Sequence, residues 1–197
     1  MADLTTVAKV KDFLGIVSAD NNSTFAVLIK GVSATMERYC GRSFLQASYT
    51  EYLDAKPGNT KLFLKNWPIT SLTSLKYRTG SWATPTWQAF GASDYLLTEE
   101  IGRVNLSVSL PEADKYIQAI YVGGYLIDFT DEDDLTSHTL PFDLTQIATE
   151  WVAKIFNTRK ATGILSESTE GQSITFREQK VGTEFESRLA PFRNINF

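Results

Sequence analysis

The chain has 197 residues, of which 43% are hydrophobic and 12% aromatic, and its formal net charge is −4. This length suits one domain with an insertion and is short for two independent enzyme domains. The acidic balance argues against a protein that grips nucleic acid, because such a protein needs a basic face to displace counterions from phosphates. A single cysteine excludes an internal disulfide, and with one histidine, His138, the chain cannot assemble a Cys/His zinc site.

Nothing in the sequence resembles a membrane or export signal. No apolar run approaches the roughly 20 residues that span a bilayer. The N-terminal stretch MADLTTVAKVKDFLG lacks the apolar core of a signal peptide. We therefore expect a soluble protein that is made in the cytoplasm and has no contact with a membrane.

Two amphipathic helices are predicted in residues 1–44. Apolar residues recur every three or four positions from Leu4 to Leu14, and Gly15 ends this first pattern. A second, longer stripe follows the SADNNST stretch and ends at Cys40, before a glycine that suits a left-handed helix cap. Gly31 lies inside this second helix and costs it about 1 kcal/mol relative to alanine, so it indicates the close approach of another element.

Cys40 is the only cysteine of the chain and is flanked by Arg38 and Arg42. A reactive thiol is one interpretation, since neighbouring positive charges favour the thiolate. A nucleophile also needs an adjacent base, however, and the only histidine lies in a different segment. Because Cys40 shares an apolar stripe with Met36, we interpret it as a small apolar residue packed in the core.

Residues 45–125 form a β-rich insertion in the predicted fold. The apolar period changes from helical to two in short segments such as YTEYLD, SLTSLKY and IQAIYV, which are separated by KPGN, RTGSWATPTW and EEIGR. In VNLSVSL, the residues Val104, Leu106, Val108 and Leu110 alternate with polar residues, so one face is buried and the other is wet. This pattern predicts an antiparallel sheet or a small barrel.

An acidic cluster interrupts the apolar pattern in residues 126–163. Its members are Asp128, Asp131, Glu132, Asp133 and Asp134. Converging carboxylates bind metal ions in nucleases, so a metal-dependent nuclease that uses Asp131 to Asp134 is one hypothesis. Consecutive carboxylates point in different directions, however, and calcium-loop spacing is absent, so a solvated loop is the favoured interpretation.

No other sequence pattern supports an enzyme. His138 has no nucleophile elbow or other triad signature to accompany it and is interpreted as a loop residue. The stretches GRSF, GGY and GTEF do not follow a strand and open a helix as a phosphate-binding loop does, and ATGILSES lacks the Walker lysine. We therefore predict no enzymatic activity, no cofactor and no metal.

The acidic cluster is followed by a long helix and then by a polar tail. In LPFDLTQIATEWVAKIFNTRKATG, Pro141 marks the helix start, and Leu144, Ala148 and Trp151 share an apolar stripe. Residues 164–197 carry scattered apolar anchors instead, a pattern typical of a segment that orders against another chain. A disordered terminus is the alternative interpretation. The residues expected to dock onto a partner are Leu189, Phe192, Arg193, Ile195 and Phe197.

These elements together predict an α+β fold. A small antiparallel helical core, made of the N-terminal helices and the C-terminal helix, is interrupted by a β-rich insertion and followed by an extended C-terminal tail. The predicted parts are residues 1–44, 45–125, 126–163 and 164–197.

The order of several sequence blocks resembles the head-tail connector proteins, also called adaptor or head completion proteins, of long-tailed bacteriophages. The blocks are VKDFLGI, LIKGVSATMERYCGRSF, WPITSLTSL, IGRVNL, AIYVGGY and LPFDLTQIATEWVAKI, and they cover about residues 4–160. The matching positions are structural and not catalytic. They are Glu37, Tyr39, Cys40, Gly41, Arg42, Phe44, Pro68, Gly102, Tyr121, Gly124, Tyr125, Pro141, Leu144, Ala148 and Trp151.

This resemblance implies a non-enzymatic virion protein that forms a dodecameric ring beneath the portal protein at the capsid vertex. The ring extends the DNA channel and receives a stopper or tail-completion protein on its far side, while the C-terminal segment docks onto the portal. DNA passes through the lumen without sequence-specific binding, which mildly acidic walls favour because like charges repel. Within the structural class, a tail-completion or terminator protein is the alternative.

Overall fold

The computed structural model describes residues 2–81, 83–130, 137–159, 166–169, 172–175 and 183–194. These residues fall into two units. The helical unit comprises described residues of Met1–Cys40 and Leu140–Arg193, and the β unit comprises those of Gly41–Thr139 together with Asn194. Among the described residues, no helix has both the length and the apolar character needed to cross a membrane.

The described part of the helical unit contains four α-helices. They are α1 (Val7–Leu14), α2 (Asn22–Cys40), α3 (Phe142–Thr158) and α4 (Thr183–Leu189), and α4 continues into a 3-10 turn at Ala190–Phe192. Two short strands, Ser166–Thr169 and Gln172–Thr175, pair antiparallel between α3 and α4 in the chain.

Helix α1 begins and ends where its sequence provides caps. The Thr6 side chain accepts a hydrogen bond from the backbone N–H of Lys9 at 3.2 Å, which satisfies one of the unpaired donors of the first turn. Gly15 adopts a left-handed conformation with φ of 66°, and its N–H bonds the carbonyl of Asp12. The first predicted helix is therefore confirmed.

The core of the helical unit lies where α2 packs on α3. The rings of Phe25 and Phe156 are 4.5 Å apart, and Met36 and Cys40 are fully buried. The N-terminal segment crosses this pair through polar contacts, since the N–H of Leu4 donates to the Ser33 hydroxyl at 3.0 Å. The second and third predicted helices are confirmed.

The close approach predicted at Gly31 is wrong for the described part of the chain. A Cβ atom added at Gly31 would meet no heavy atom within 4 Å. The approach occurs instead at Ser33, which is fully buried and accepts the Leu4 hydrogen bond. A small polar side chain thus makes the contact that the glycine was expected to allow.

The described part of the β unit contains seven strands. They are β1 (Ala47–Ala55), β2 (Lys61–Phe63), β3 (Ile69–Arg78), β4 (Trp87–Ala89), β5 (Tyr95–Thr98), β6 (Arg103–Leu106) and β7 (Ala113–Gly123). A 3-10 turn at Glu99–Ile101 joins β5 to β6.

These strands form two antiparallel sheets, one in the order β1-β7-β3-β4 and the other in the order β2-β6-β5. Strand β7 lies at the centre of the larger sheet, where Ile117, Ala119 and Tyr121 are fully buried and alternate with half-buried residues. Val104 and Leu106 of β6 join the same core, as their alternation predicted.

The mixed α+β fold is confirmed, but the extended tail is wrong for residues 183–192. These residues form α4 and the 3-10 turn after it. Phe185 and Leu189 are four residues apart and therefore share one face of a helix, and both are buried in the structure.

Candidate interaction surfaces

Two of the positions that matched the adaptor pattern in the β unit, Phe44 and Tyr125, lie around a third, the buried Arg42. Arg42 follows α2 and is 4% exposed. Its guanidinium carbon lies 3.8 Å from the ring centroid of Trp67, 5.2 Å from that of Phe44 and 5.6 Å from that of Tyr125. A desolvated cation over aromatic faces is attracted by their electron density. The cage therefore ties together three segments: 42–44, the turn before β3, and the segment after β7.

Two glycines allow these segments to approach closely. A Cβ added at Gly123 would lie 2.1 Å from the carbonyl oxygen of Asn66, so only glycine fits there. Gly124 has φ of 97°, a conformation that other residues rarely adopt, and its N–H donates to the Pro68 carbonyl at 2.9 Å. The turn at residues 66–68 consequently rests directly on the end of β7.

A buried polar network lies beside this cage. The Tyr121 hydroxyl donates to Oε1 of Glu51 at 2.5 Å and accepts from the backbone N–H of Asn66 at 3.1 Å. The Asn66 side-chain oxygen in turn accepts from the N–H of Ser43 at 2.8 Å. Glu51 also accepts from the N–H of Lys65, at 3.1 Å and 3.2 Å to its two oxygens. The network holds the chain after α2 against both sheets.

Burial perturbs the acid–base behaviour of this network. It raises the pKa of the Glu51 carboxyl, and hydrogen bonds from Tyr121 and Lys65 act in the opposite direction. Burial also raises the pKa of Tyr121, and the Glu51 carboxylate raises it further. At Tyr125, burial raises the pKa of the hydroxyl, while the Arg42 charge opposes that rise.

The matched positions of the helical unit lie within or directly beside the long helices. Glu37, Tyr39 and Cys40 form the last turn of α2, and Pro141 directly precedes α3. Leu144 is fully buried, and Trp151 is 7% exposed. Leu144 and Trp151 therefore contribute to the packing of α3, while the other residues lie at helix termini.

The segment predicted to dock onto a partner is partly folded onto its own helical unit. The Phe185 ring stacks on Trp151 with centroids 5.2 Å apart and planes inclined by 19°. Glu184 pairs with Lys154 at 2.5 Å, and Arg188 pairs with Glu150. Two ion pairs and a stacked aromatic pair therefore fasten α4 to α3.

The five predicted docking residues are divided by this arrangement. Leu189 is fully buried, and its carbonyl lies 3.9 Å from the Cys40 sulfur, so it anchors the segment within the helical unit. Phe192 and Arg193 are half-buried, and the Arg193 guanidinium lies 5.2 Å from the ring of Tyr39. Ile195 and Phe197 lie outside the described residues. Docking onto a partner stays a prediction for the last four.

Two apolar grooves open on the helical unit, and sequence periodicity alone did not identify them. The Phe13 groove has a volume of about 290 Å³ and lies between α1 and α3, where Phe13 is 58% and Phe142 69% exposed. The Val27 groove has a volume of about 630 Å³ and lies between α2 and α3, with Val27 71% exposed at its rim. Gly31 lines this second groove.

The acidic cluster divides between described and undescribed residues. Asp131 to Asp134 lie outside the described residues, so the nuclease hypothesis is not tested by this geometry. His138 is buried, accepts a hydrogen bond at Nδ1 from the N–H of Asp128 at 3.2 Å, and packs on Phe129. Within the described ranges, no group of three or more His, Cys, Asp or Glu side chains is placed to hold a metal ion.

Comparison with known proteins agrees with this architecture. The chain is similar in fold to a chain from the neck of an empty gene transfer agent (GTA) particle computed with C6 symmetry, with 15% identity, a TM-score of 0.59, and coverage of 99% of this chain and 93% of that chain. A chain from the neck of a native GTA particle computed with C12 symmetry gives 15% identity, a TM-score of 0.54, and coverage of 96% and 88%.

A chain from the virion of a native GTA particle gives 16% identity, a TM-score of 0.57, and coverage of 96% of this chain and 89% of that one. A comparison with curated proteins found no match. The profile of the head completion protein family matches residues 3–195, nearly the full length. The chain therefore belongs to the head completion protein family.

Proposed function

We propose that the chain is a structural component of the virion neck that assembles as a head-to-tail ring and catalyses no reaction. Membership of the head completion protein family supports a role at the junction of head and tail. The similar chains come from GTA necks computed with C6 and C12 symmetry, which supports a cyclic arrangement of copies. In this proposal the ring is dodecameric and extends the DNA channel.

The observation that carries the proposal is the pair of unlike apolar grooves on the helical unit. A twofold contact uses the same patch on both copies, whereas a head-to-tail contact uses two different patches on each copy. The Phe13 groove and the Val27 groove involve different helices beside α3. Exposed large apolar side chains mark interaction sites when they cluster at such grooves. Each groove is therefore assigned to a neighbouring copy of the chain.

The finer role in this proposal is that of an adaptor beneath the portal. Phe192 and Arg193, which follow the anchored α4, would present the C-terminal segment to the portal, with Ile195 and Phe197 completing the contact. Many weak contacts repeated around one ring act through effective concentration, so no single strong contact is required. The far side of the ring would receive the stopper or tail-completion protein.

Electron microscopy of particles and of the purified protein tests the ring, and two substitutions test its contacts. Phe142→Glu places an acidic residue at the first position of α3, where it favours the helix by about 0.3–1 kcal/mol. Val27→Glu replaces a β-branched residue in α2 with a better helix former. Both variants should fold as stably as the parent chain and fail to assemble.

Val17→Glu is the matched control, because Val17 is 93% exposed and lines neither groove. It should assemble normally. The proposal would be contradicted if the neck of intact particles showed no density for the protein. It would also be contradicted if both groove variants formed normal rings. A companion variant, Phe192→Ala with Arg193→Glu, should form rings that no longer join portal-bearing heads.

A further inference from the structure

We infer that a basic groove in the β unit binds the acidic segment 128–134 of a neighbouring copy, an inference that rests on the proposed ring. The groove lies between β1 and the stretch that carries β2, and its volume is about 380 Å³. It is lined by Tyr52, Asp54, Lys56, Lys61, Phe63 and Lys65, among others. The inference thus assigns a partner segment to a surface of the β unit.

The charge of the groove is positive. The side chains of Lys56, Lys61 and Lys65 are exposed, and within the described ranges Lys56 and Lys61 form no ion pair with a carboxylate, whereas the Lys65 charge also acts on the Glu51 carboxyl. The only acidic residue lining the groove is Asp54, whose Oδ1 already accepts a hydrogen bond from the N–H of Lys115 at 2.7 Å. An occupant rich in carboxylates therefore complements this surface.

The groove also offers backbone groups. Within the described sheets, β1 pairs only with β7 and β2 pairs only with β6, so both strands that flank the groove are edge strands. Edge strands leave a row of N–H and C=O groups without ladder partners, which an extended segment can use. The occupant that fits is therefore both acidic and extended.

The chain carries a strongly acidic segment in its own sequence. Five of the seven residues in DFTDEDD, residues 128–134, are acidic. Two hydrogen bonds in the β unit hold together the two ends of the loop that carries this segment. The N–H of Thr139 donates to the carbonyl of Leu126 at 2.9 Å, and the N–H of Asp128 donates to His138 at 3.2 Å. The Asp128 carboxylate accepts hydrogen bonds from Thr130 and belongs to this closed end of the loop, and four further carboxylates follow it in the sequence.

The basic groove and the acidic segment belong to opposite ends of β1. The acidic segment follows Tyr125, which bridges Leu45 just before the Ala47 end of the strand. The groove lies at the other end, at Tyr52 to Asp54. From Ala47 to Asp54 a strand rises about 23 Å, at roughly 3.3 Å per residue.

This separation favours a second copy over the same chain as the source of the segment. The described start of the segment, Asp128 to Thr130, follows Tyr125 at one end of β1, whereas the groove lies at the other end of that strand. Opposite charges at opposite ends of one unit are also the pattern that a head-to-tail contact needs. Each copy would give its acidic segment to one neighbour and its groove to the other.

Charge reversal tests the inference in three steps, with assembly measured in free solution and on heads that lack this protein. Lys56→Glu with Lys61→Glu reverses the groove, and Asp131→Lys with Asp133→Lys reverses the segment. Each double variant should need about tenfold more protein to assemble, since exposed ion pairs contribute modestly. An equimolar mixture of the two should recover assembly, because alternating copies restore every opposite-charge contact. The chain carrying all four changes should recover as well.

Lys11→Glu with Lys30→Glu changes the net charge equally outside the groove, and it should assemble like the parent chain. Normal assembly of both reversed variants would overturn the inference while leaving the proposed ring intact. If the Lys56→Glu, Lys61→Glu variant assembles normally but binds DNA less than the parent chain does, the inference is also overturned, because the groove would then be a phosphate site. A parent chain that assembles neither alone nor on heads would overturn the ring and the inference together.

A cross-link identifies the copy that supplies the segment. Asn59→Cys places a thiol in the groove and Asp133→Cys places one in the segment, while the native Cys40 is buried. A mixture of the two single variants should give a covalent dimer under a mild thiol oxidant, and neither variant alone should do so. The chain with both changes should form linked multimers. If it instead closes an internal link and stays a single chain, the segment occupies its own groove and the inference is overturned.

Discussion

Replacing Tyr121 with phenylalanine should destabilise the β unit by an amount that depends on pH. Tyr121 is fully buried, and its hydroxyl donates to Glu51 at 2.5 Å and accepts from the backbone N–H of Asn66 at 3.1 Å and from its side-chain amide at 3.3 Å. Phenylalanine keeps the ring in place and removes all three hydrogen bonds. The change therefore isolates the polar network from the packing around it.

The expected loss follows from the charge of Glu51. When the carboxylate is ionised, it loses a charge-assisted hydrogen bond of about 2 kcal/mol, and the Asn66 N–H loses its acceptor at about 1 kcal/mol more. When Glu51 is protonated, the first loss is that of a neutral bond, about 1 kcal/mol. The free energy of unfolding should therefore fall by about 3 kcal/mol at neutral pH and by about 2 kcal/mol in acid.

The direction of the pH effect follows from linkage. Burial raises the pKa of Glu51 above its usual 4.5, and the Tyr121 hydrogen bond opposes that rise, so removing the hydroxyl raises this pKa further. A folded chain with a raised carboxyl pKa holds the proton more tightly than the unfolded chain does. Its stability is therefore greatest below the unfolded pKa and declines as pH rises through the folded pKa. The variant should show a steeper decline than the parent chain.

Urea unfolding at about pH 4 and about pH 7.5, followed by tryptophan fluorescence, measures both losses. Tyr49→Phe is the matched control, because the Tyr49 ring lies 5.8 Å from that of Tyr121 and its hydroxyl donates to the Leu45 carbonyl at 2.6 Å, away from any carboxylate. That variant should lose about 1 kcal/mol at both pH values. Equal losses for Tyr121→Phe at the two pH values would refute the reasoning.

Three further predictions concern single contacts. Gly31→Ala should stabilise the free chain by up to about 1 kcal/mol in thermal unfolding, because an added Cβ meets no heavy atom within 4 Å; a loss of stability would show that the Val27 groove is not open there. Arg42→Met should cost about 2 kcal/mol by removing the cation from the Trp67 face, and a gain in stability would mean that relief of the buried charge outweighs the cage. Burial raises the pKa of Glu150, but hydrogen bonds from Arg188 and Gln146 outweigh burial, and the net effect lowers this pKa. The stabilisation of α4 by ionised Glu150 is therefore present above the usual pKa of 4.5 and is lost as pH falls through the lowered value. The hydrogen-exchange protection factors of α4, which correct for the slower intrinsic exchange in acid, should therefore fall in acid for the parent chain and be low at both pH values for Glu150→Gln. Protection that is kept in acid by the parent chain would contradict this.

Local periodicity was sufficient for the long elements of the fold. The stripe through Leu144, Ala148 and Trp151 identified α3, because seventeen residues give several turns of helical pattern. Alternation identified β7 for the same reason, since its eleven residues bury every second side chain over much of their length. In both cases the signal lies within one continuous stretch of chain.

The elements that sequence reasoning missed depend on contacts between distant segments. Helix α4 has only seven residues, too few for a periodic signal, and its partner Trp151 lies more than thirty residues earlier. The Arg42 cage requires rings from Phe44, Trp67 and Tyr125, which no sequence pattern places together. The only available signal was the adaptor pattern, which named Arg42, Phe44 and Tyr125, but not Trp67, and did not indicate that they meet.

In the proposed ring, the two units share one physical design. The helical unit presents two unlike apolar grooves, and the β unit presents a basic groove and an acidic segment at opposite ends of β1. A twofold pair would not bring such unlike surfaces into contact with each other, because a twofold contact buries the same patch on both copies.

Each such contact between exposed groups is weak, since surface ion pairs contribute only about 0.2–1 kcal/mol. Free rings would therefore form only at high protein concentration, whereas a template that concentrates many copies makes each added contact intramolecular and lets the ring close at lower concentration. Added salt should then dissolve free rings at concentrations that leave rings on heads intact, because screening acts on the lateral ion pairs while the template still holds the copies together.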